Sequence, residues 1–126
     1  MSKVVVDSYA WIEYLAGGSR KAVEVMEQNE LHTSLFSLVE IASRLERANY
    51  LRVDEAVAEI MQMSRIWAFD EETAVKIGKL HARMRKTIPD FGAGDCFVLE
   101  LAERLSAKIL TGDPHFKGLK NVIFIS

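Results

Sequence analysis

The stretch Lys3-Val4-Val5-Val6-Asp7 decides the fold. Three consecutive valines read as a short strand buried on both faces, the pattern of a parallel sheet covered by helices. The run stops at an acid. Helical spacing begins at once in Ser8-Tyr9-Ala10-Trp11-Ile12-Glu13-Tyr14-Leu15. A carboxylate is thus placed where a strand ends and a helix starts, the edge at which open α/β sheets bind their ligands.

Working outward, Gly17-Gly18-Ser19 is a turn, and residues 20–29 read as a surface helix carrying Ala22, Val23, Val25 and Met26. Leu31 to Ser34 is a second strand. Ser37-Leu38-Val39-Glu40 opens a helix that runs to about Tyr50. A further helix covers Val53 to Arg65, with Val53, Val57, Ile60, Met61 and Ser64 on one face. Ile66 to Phe69 is a third strand, and Asp70 caps a helix reaching about Lys86. Residues 87–94, with Pro89, Gly92 and Gly94, form a loop. Asp95 starts a strongly apolar helix (Cys96, Phe97, Val98, Leu99, Leu101, Ala102, Leu105), expected to be buried against the sheet. Lys108-Ile109-Leu110 is a fourth strand ending in Thr111-Gly112-Asp113-Pro114, and Val122 to Ile125 is the last. Strands alternating with helices imply an α/β fold with a mainly parallel sheet. Right-handed crossovers put helices on both of its faces, a three-layer α/β/α sandwich.

At 126 residues the chain reads as one domain, 1–126, without repeat or linker. No apolar run approaches the ~20 residues that span a bilayer, and the N-terminus lacks the basic-then-apolar pattern of a secretion signal. Cys96 alone excludes an intrachain disulfide and argues against a cysteine-based zinc site. A cytoplasmic location is expected. The 16 basic and 18 acidic residues give a net charge of −2, which argues against a generic basic nucleic-acid coat. With four acids held by a cation, 14 would remain against 16 bases, an excess of +2 that tolerates a phosphate substrate.

Four acids fall at strand ends or helix starts: Asp7, Glu40, Asp95 and Asp113. Each has a plain structural explanation. Asp7 can N-cap its helix. Ser37 with Glu40 fits a capping box. Glu40 also shares a helix face with Arg44 and Arg47 and can pair with them. Asp95 can complement a helix dipole, and Asp113-Pro114 is a common turn pair. Together they read differently. A cap needs one oxygen, which Ser, Thr or Asn supplies equally well. Carboxylates crowded at one sheet edge raise one another's pKa and cost stability unless a cation binds. An all-oxygen set suits Mg²⁺.

The segments VVVDSYAWIEYL, SLVEIASRL, GDCFVLELAERLSAKILTGDPHF and NVIFIS together resemble the PIN domain family, and within it the VapC-like toxins of type II toxin–antitoxin pairs. The resemblance covers essentially the whole chain. It implies a five-stranded parallel sheet of order 3-2-1-4-5 and a metal-dependent endoribonuclease using Mg²⁺ or Mn²⁺. By position it implies Asp7, Glu40, Asp95 and Asp113 as catalytic residues and metal ligands, with Ser8 and Thr111 as hydroxyls supporting them. It also implies an RNA substrate, a homodimer and a small antitoxin partner. Arg44 and Arg47 are the first candidates for substrate phosphate, or for neutralising Glu40. Asp90 reads as a loop residue and His115 as a partly exposed structural histidine that can touch a phosphate. His32 and His81 lack partners at metal-like spacing, and Cys96 reads as packing. Trp11, Tyr14 and Leu15 are core or a dimer contact.

Rival folds with similar sheets fit less well. A response-regulator receiver needs a second acid beside the first, and Ser8 follows Asp7. A haloacid-dehalogenase-like phosphatase needs acid-x-acid, which Asp7-Ser8-Tyr9 lacks. There is no Gly-rich phosphate loop. The remaining rival is a PIN-like RNA- or protein-binding module that keeps its acids without nuclease turnover.

Overall fold

A computed structural model describes residues 2–125. The elements are β1 (Lys3–Val6), α1 (Ser8–Ala16), α2 (Arg20–Gln28), β2 (Glu30–Ser34), α3 (Leu35–Arg47), α4 (Val53–Met63), β3 (Ser64–Trp67), α5 (Glu71–Met84), α6 (Ala93–Leu105), β4 (Lys108–Thr111) and β5 (Val122–Phe124). A single 3₁₀ turn, Pro114–Phe116, lies between β4 and β5. The five strands form one sheet of order β3-β2-β1-β4-β5, with all four pairings parallel. The fold is the expected PIN-like α/β arrangement.

The valine run lies at the centre of the sheet. Val5 lies opposite His32 of β2 and Ile109 of β4, so both edges of the strand are paired. Alternate side chains face opposite layers. Val4 and Val6 pack with Trp11, Ile41, Ile60 and Leu110, beneath α1 to α4. Val5 packs with Ile77, Phe91, Val98, Leu101 and Phe116, beneath α5 and α6. An alternating polar residue on β1 would enter one of these two cores, so the run has to be unbroken. Trp11 is fully buried, and its indole N–H donates to Thr33 Oγ1 at 3.0 Å. It is core, as is Cys96. No helix among the described residues is long and apolar enough to cross a membrane.

Several local readings need correction. Helix α3 begins at Leu35, and its cap is Ser34, whose hydroxyl accepts from Phe36 N–H at 3.1 Å. Ser37 therefore sits inside the helix, fully buried, and forms no capping box with Glu40. The apolar phase of α4 is set by Ala56 and Ile60, which leaves Met61 55% exposed. Strand β3 starts two residues early, at Ser64, because that register pairs it with Leu31 to Ser34. Helix α6 starts at Ala93 and carries Asp95 in its first turn.

Candidate metal centre

Parallel strands all point their C-terminal ends to the same edge, and that geometry assembles the site. Asp7 leaves β1 there, with its N–H bonded to Leu110 O of β4 at 3.0 Å. Thr111 ends β4, and Asp113 follows it. Glu40 lies in the second turn of α3, the helix that leaves β2. Asp95 lies in the first turn of α6, which feeds β4.

Asp7 occupies the N-cap position of α1 but makes no capping bond with its side chain. Its Oδ2 instead accepts from the Thr111 hydroxyl at 2.7 Å. The same Thr111 oxygen accepts from Asp113 N–H at 3.0 Å. One buried hydroxyl thus ties the ends of β1 and β4 together. Asp113 Oδ1 caps the short 3₁₀ turn by accepting from His115 N–H at 2.9 Å. Asp95 Oδ2 accepts from Gly92 N–H at 2.8 Å and lies 3.2 Å from His115 Nδ1. The helix-start explanation therefore holds for Asp95 and the turn explanation for Asp113, while capping fails for Asp7.

The acids lie near enough for their charges to act on one another. Burial pushes Asp7 up from 3.8 to about 6, and the charges of Asp95 and Asp113 add to that, against the Thr111 hydrogen bond. Glu40 is pushed from 4.5 to about 7, first by burial and then by the charges of Asp7, Asp95 and Asp113, against the pull of the Ser8 hydroxyl. Asp95 is raised by burial and by Asp113, against Gly92 N–H and His115. Among the described residues, no lysine or arginine forms an ion pair with any of the four. Arg44 and Arg47 are exposed and leave Glu40 unpaired; Arg47 Nε donates to Ser43 O instead. The helix wheel puts them on one face, but their side chains extend into solvent. Asp90 is exposed, as expected of a loop residue.

Two residues lie closer to the acids than the sequence indicated. His115 brings its Nδ1 to 3.6 Å from Asp113 Oδ1, and the ligand atoms of Asp95, Asp113 and His115 all lie within 4.8 Å of one another. The signal was the Asp-Pro-His order, in which a tight turn folds the third residue back onto the first. Gly94 is the other. A Cβ there would lie 2.8 Å from Glu40 Oε2 and 2.9 Å from Oε1. Only a glycine lets the α6 backbone approach the Glu40 carboxylate this closely.

Among the described residues, Asp95, Asp113 and His115 form the group whose ligand atoms lie close enough to share one ion, while Asp7 and Glu40 stand outside that group and feel its charge. Carboxylate oxygens without a lysine or arginine counter-cation suit a hard divalent ion. A match to the PIN domain model over residues 4–122 agrees with this geometry, and the chain belongs to the PIN domain family. Solved structures share the fold at low identity. The Mycobacterium tuberculosis toxin VapC20, described as cleaving the sarcin–ricin loop, superimposes with a TM-score of 0.80 at 15% identity, over 98% of this chain and 99% of that one. VapBC2 of Rickettsia felis, bound to a promoter DNA fragment, gives 0.76 at 12% identity, over 98% and 99%. VapBC-1 of nontypeable Haemophilus influenzae gives 0.73 at 16%, over 97% and 96%. No curated protein matches the sequence.

Proposed function

We propose that the protein is a metal-dependent endoribonuclease that hydrolyses RNA phosphodiester bonds, and that it is the toxin of a VapBC-type pair. The observation that carries this reading is the crowding of Asp7, Glu40 and Asp95, each driven toward its protonated form by burial and by its neighbours. Such an arrangement costs the fold stability and is relieved by a divalent cation. Membership of the PIN family and the fold shared with VapC toxins support the choice of RNA as substrate. Neighbours solved as toxin–antitoxin complexes support a small antitoxin as partner. A homodimer in the cytoplasm completes the proposal.

Asp7, Asp95 and Asp113 would hold Mg²⁺ or Mn²⁺, and Glu40 would hold the ion or the attacking water. When bound, the ion would activate that water and neutralise charge on the phosphate and the leaving oxygen. The chain's own groups do the rest. Thr111 fixes Asp7 Oδ2 and the Asp113 backbone together, so two of the acids keep one spacing. Glu40 sits beside the other acids, where a carboxylate can orient the attacking water and take its proton. Ser8 steadies Glu40. Arg44 and Arg47 are free of carboxylate partners and are proposed to meet RNA phosphates beyond the cluster of acids.

The test is cleavage of defined transfer, ribosomal and messenger RNAs with Mg²⁺, Mn²⁺ or EDTA, with Asp7→Asn as control. Metal-dependent cleavage lost in the variant is the expected result. Tight RNA binding by both proteins without cleavage in any metal would establish the binding-module alternative. Cleavage that survives both EDTA and the substitution would remove the metal role.

A further inference from the structure

His115 stands apart from the four acids. Of the chain's three histidines, His32 bonds Glu30 through Nε2 and Trp67 through Nδ1, and His81 bonds the Phe91 carbonyl through Nε2. His115 alone turns a ring nitrogen toward the acids. Its position is fixed from two sides. Its backbone N–H is tied to Asp113 Oδ1, and its ring lies 6.1 Å from that of buried Phe91. Its Nδ1 lies 3.2 Å from Asp95 Oδ2 and 3.6 Å from Asp113 Oδ1. Adjacent ligands on one octahedral ion with bonds of about 2.1 Å are roughly 3.0 Å apart. The imidazole nitrogen stands near that spacing from each carboxylate, and all three donors lie within 4.8 Å of one another.

We propose that His115 is a direct nitrogen ligand of the ion held by Asp95 and Asp113, and that it biases the site toward transition-metal ions such as Mn²⁺ and Co²⁺ over Mg²⁺. This rests on the reading of the acid cluster as a metal centre. Mg²⁺ is hard, keeps its waters and takes oxygen. Imidazole nitrogen gives it little and gives the later divalent ions more. The carboxylates therefore set whether a divalent ion binds, and the imidazole sets which one.

The full-length protein and its His115→Ala variant are titrated separately with Mg²⁺, Mn²⁺ and Co²⁺, by calorimetry and by thermal shift, with circular dichroism to check folding. In the variant, affinity for Mn²⁺ and Co²⁺ is expected to fall by about tenfold or more, and affinity for Mg²⁺ by less than about threefold. Pulsed electron paramagnetic resonance of the Mn²⁺-loaded wild type is expected to show coupling to a histidine nitrogen, absent in His115→Ala. Lack of nitrogen coupling in the wild type overturns the proposal even if the variant misfolds. Equal losses for Mg²⁺ and Mn²⁺ overturn it too. If either of those results is obtained while ions bind the wild type and Asp95→Asn abolishes that binding, the metal centre stands without His115. If no ion binds the wild type, the metal centre falls as well.

Discussion

Asp7 and Glu100 are both buried carboxylates, 2% and 5% exposed, and the chain treats them in opposite ways. Glu100 lies in the seam between α5 and α6, where Lys76 places its ammonium 2.8 Å from Oε1. The lysine stem crosses the surface and delivers a charge to an acid that would otherwise be stranded. Asp7 lies at the C-terminal edge of the sheet and receives a hydroxyl from Thr111, while its charged neighbours are further acids. The fold can supply an internal cation, since it does so at Glu100. Among the described residues, no lysine or arginine plays that part at Asp7.

Substitution at the two positions should separate them most. Asp7→Asn keeps an acceptor for Thr111 and removes a charge. RNA cleavage is expected to fall by at least about a hundredfold, measured as single-turnover rate. The same variant, free of metal at pH 7.5, is expected to be more stable than wild type in a urea melt. A pKa moved from 3.8 to about 6 is worth about 3 kcal/mol at most. A loss of stability instead would mean that Asp7 is a structural acid after all.

The pH dependence follows from the same shift. The folded state holds its proton on Asp7 up to about pH 6, whereas the unfolded chain releases it near 3.8. Between those values the folded state binds more protons, so metal-free stability falls as pH rises through this window. Glu40 extends the loss toward about pH 7. Stabilisation by added Mn²⁺ or Mg²⁺, which must displace those protons, is expected to grow across the same range. Thermal melts from pH 4 to pH 8, with and without metal, measure both slopes.

Gly94→Ala tests how closely the edge is fitted. The new methyl would press on the Glu40 carboxylate at 2.8 Å, and a displaced carboxylate is expected to cost about tenfold or more in rate. Alanine is favoured over glycine within a helix by up to about 1 kcal/mol, so the loss should come without unfolding, as melting would show. The smallest effect belongs to the seam. Glu100→Ala is expected to leave cleavage per folded molecule unchanged and to lower stability modestly in a urea melt, because the acid's partner is a solvent-exposed lysine. A change in cleavage there would erase the distinction between the two regions.

The two regions also differ in how far they could be read from the chain. Val4-Val5-Val6 followed by Asp7, and Lys108 to Thr111 followed by Asp113, announce strands ending in acids, because burial on both faces demands unbroken apolar runs. That local logic determined the parallel sheet and the edge on which the acids fall, while the central place of β1 followed only from the resemblance to the PIN family. It failed at Ser37, where the capping motif was present but α3 had already been capped by Ser34. It failed also at Met61, where the packing of Ala56 and Ile60 set the phase of α4. What only the tertiary structure decided is distance across unrelated segments. Thr111 bridging Asp7 and Asp113, Gly94 lying against Glu40, and His115 turning its nitrogen to Asp95 each join residues whose separation in sequence carries no record of their contact. Periodicity is fixed by neighbours along the chain, whereas the balance of charge at the sheet edge is fixed by neighbours in space.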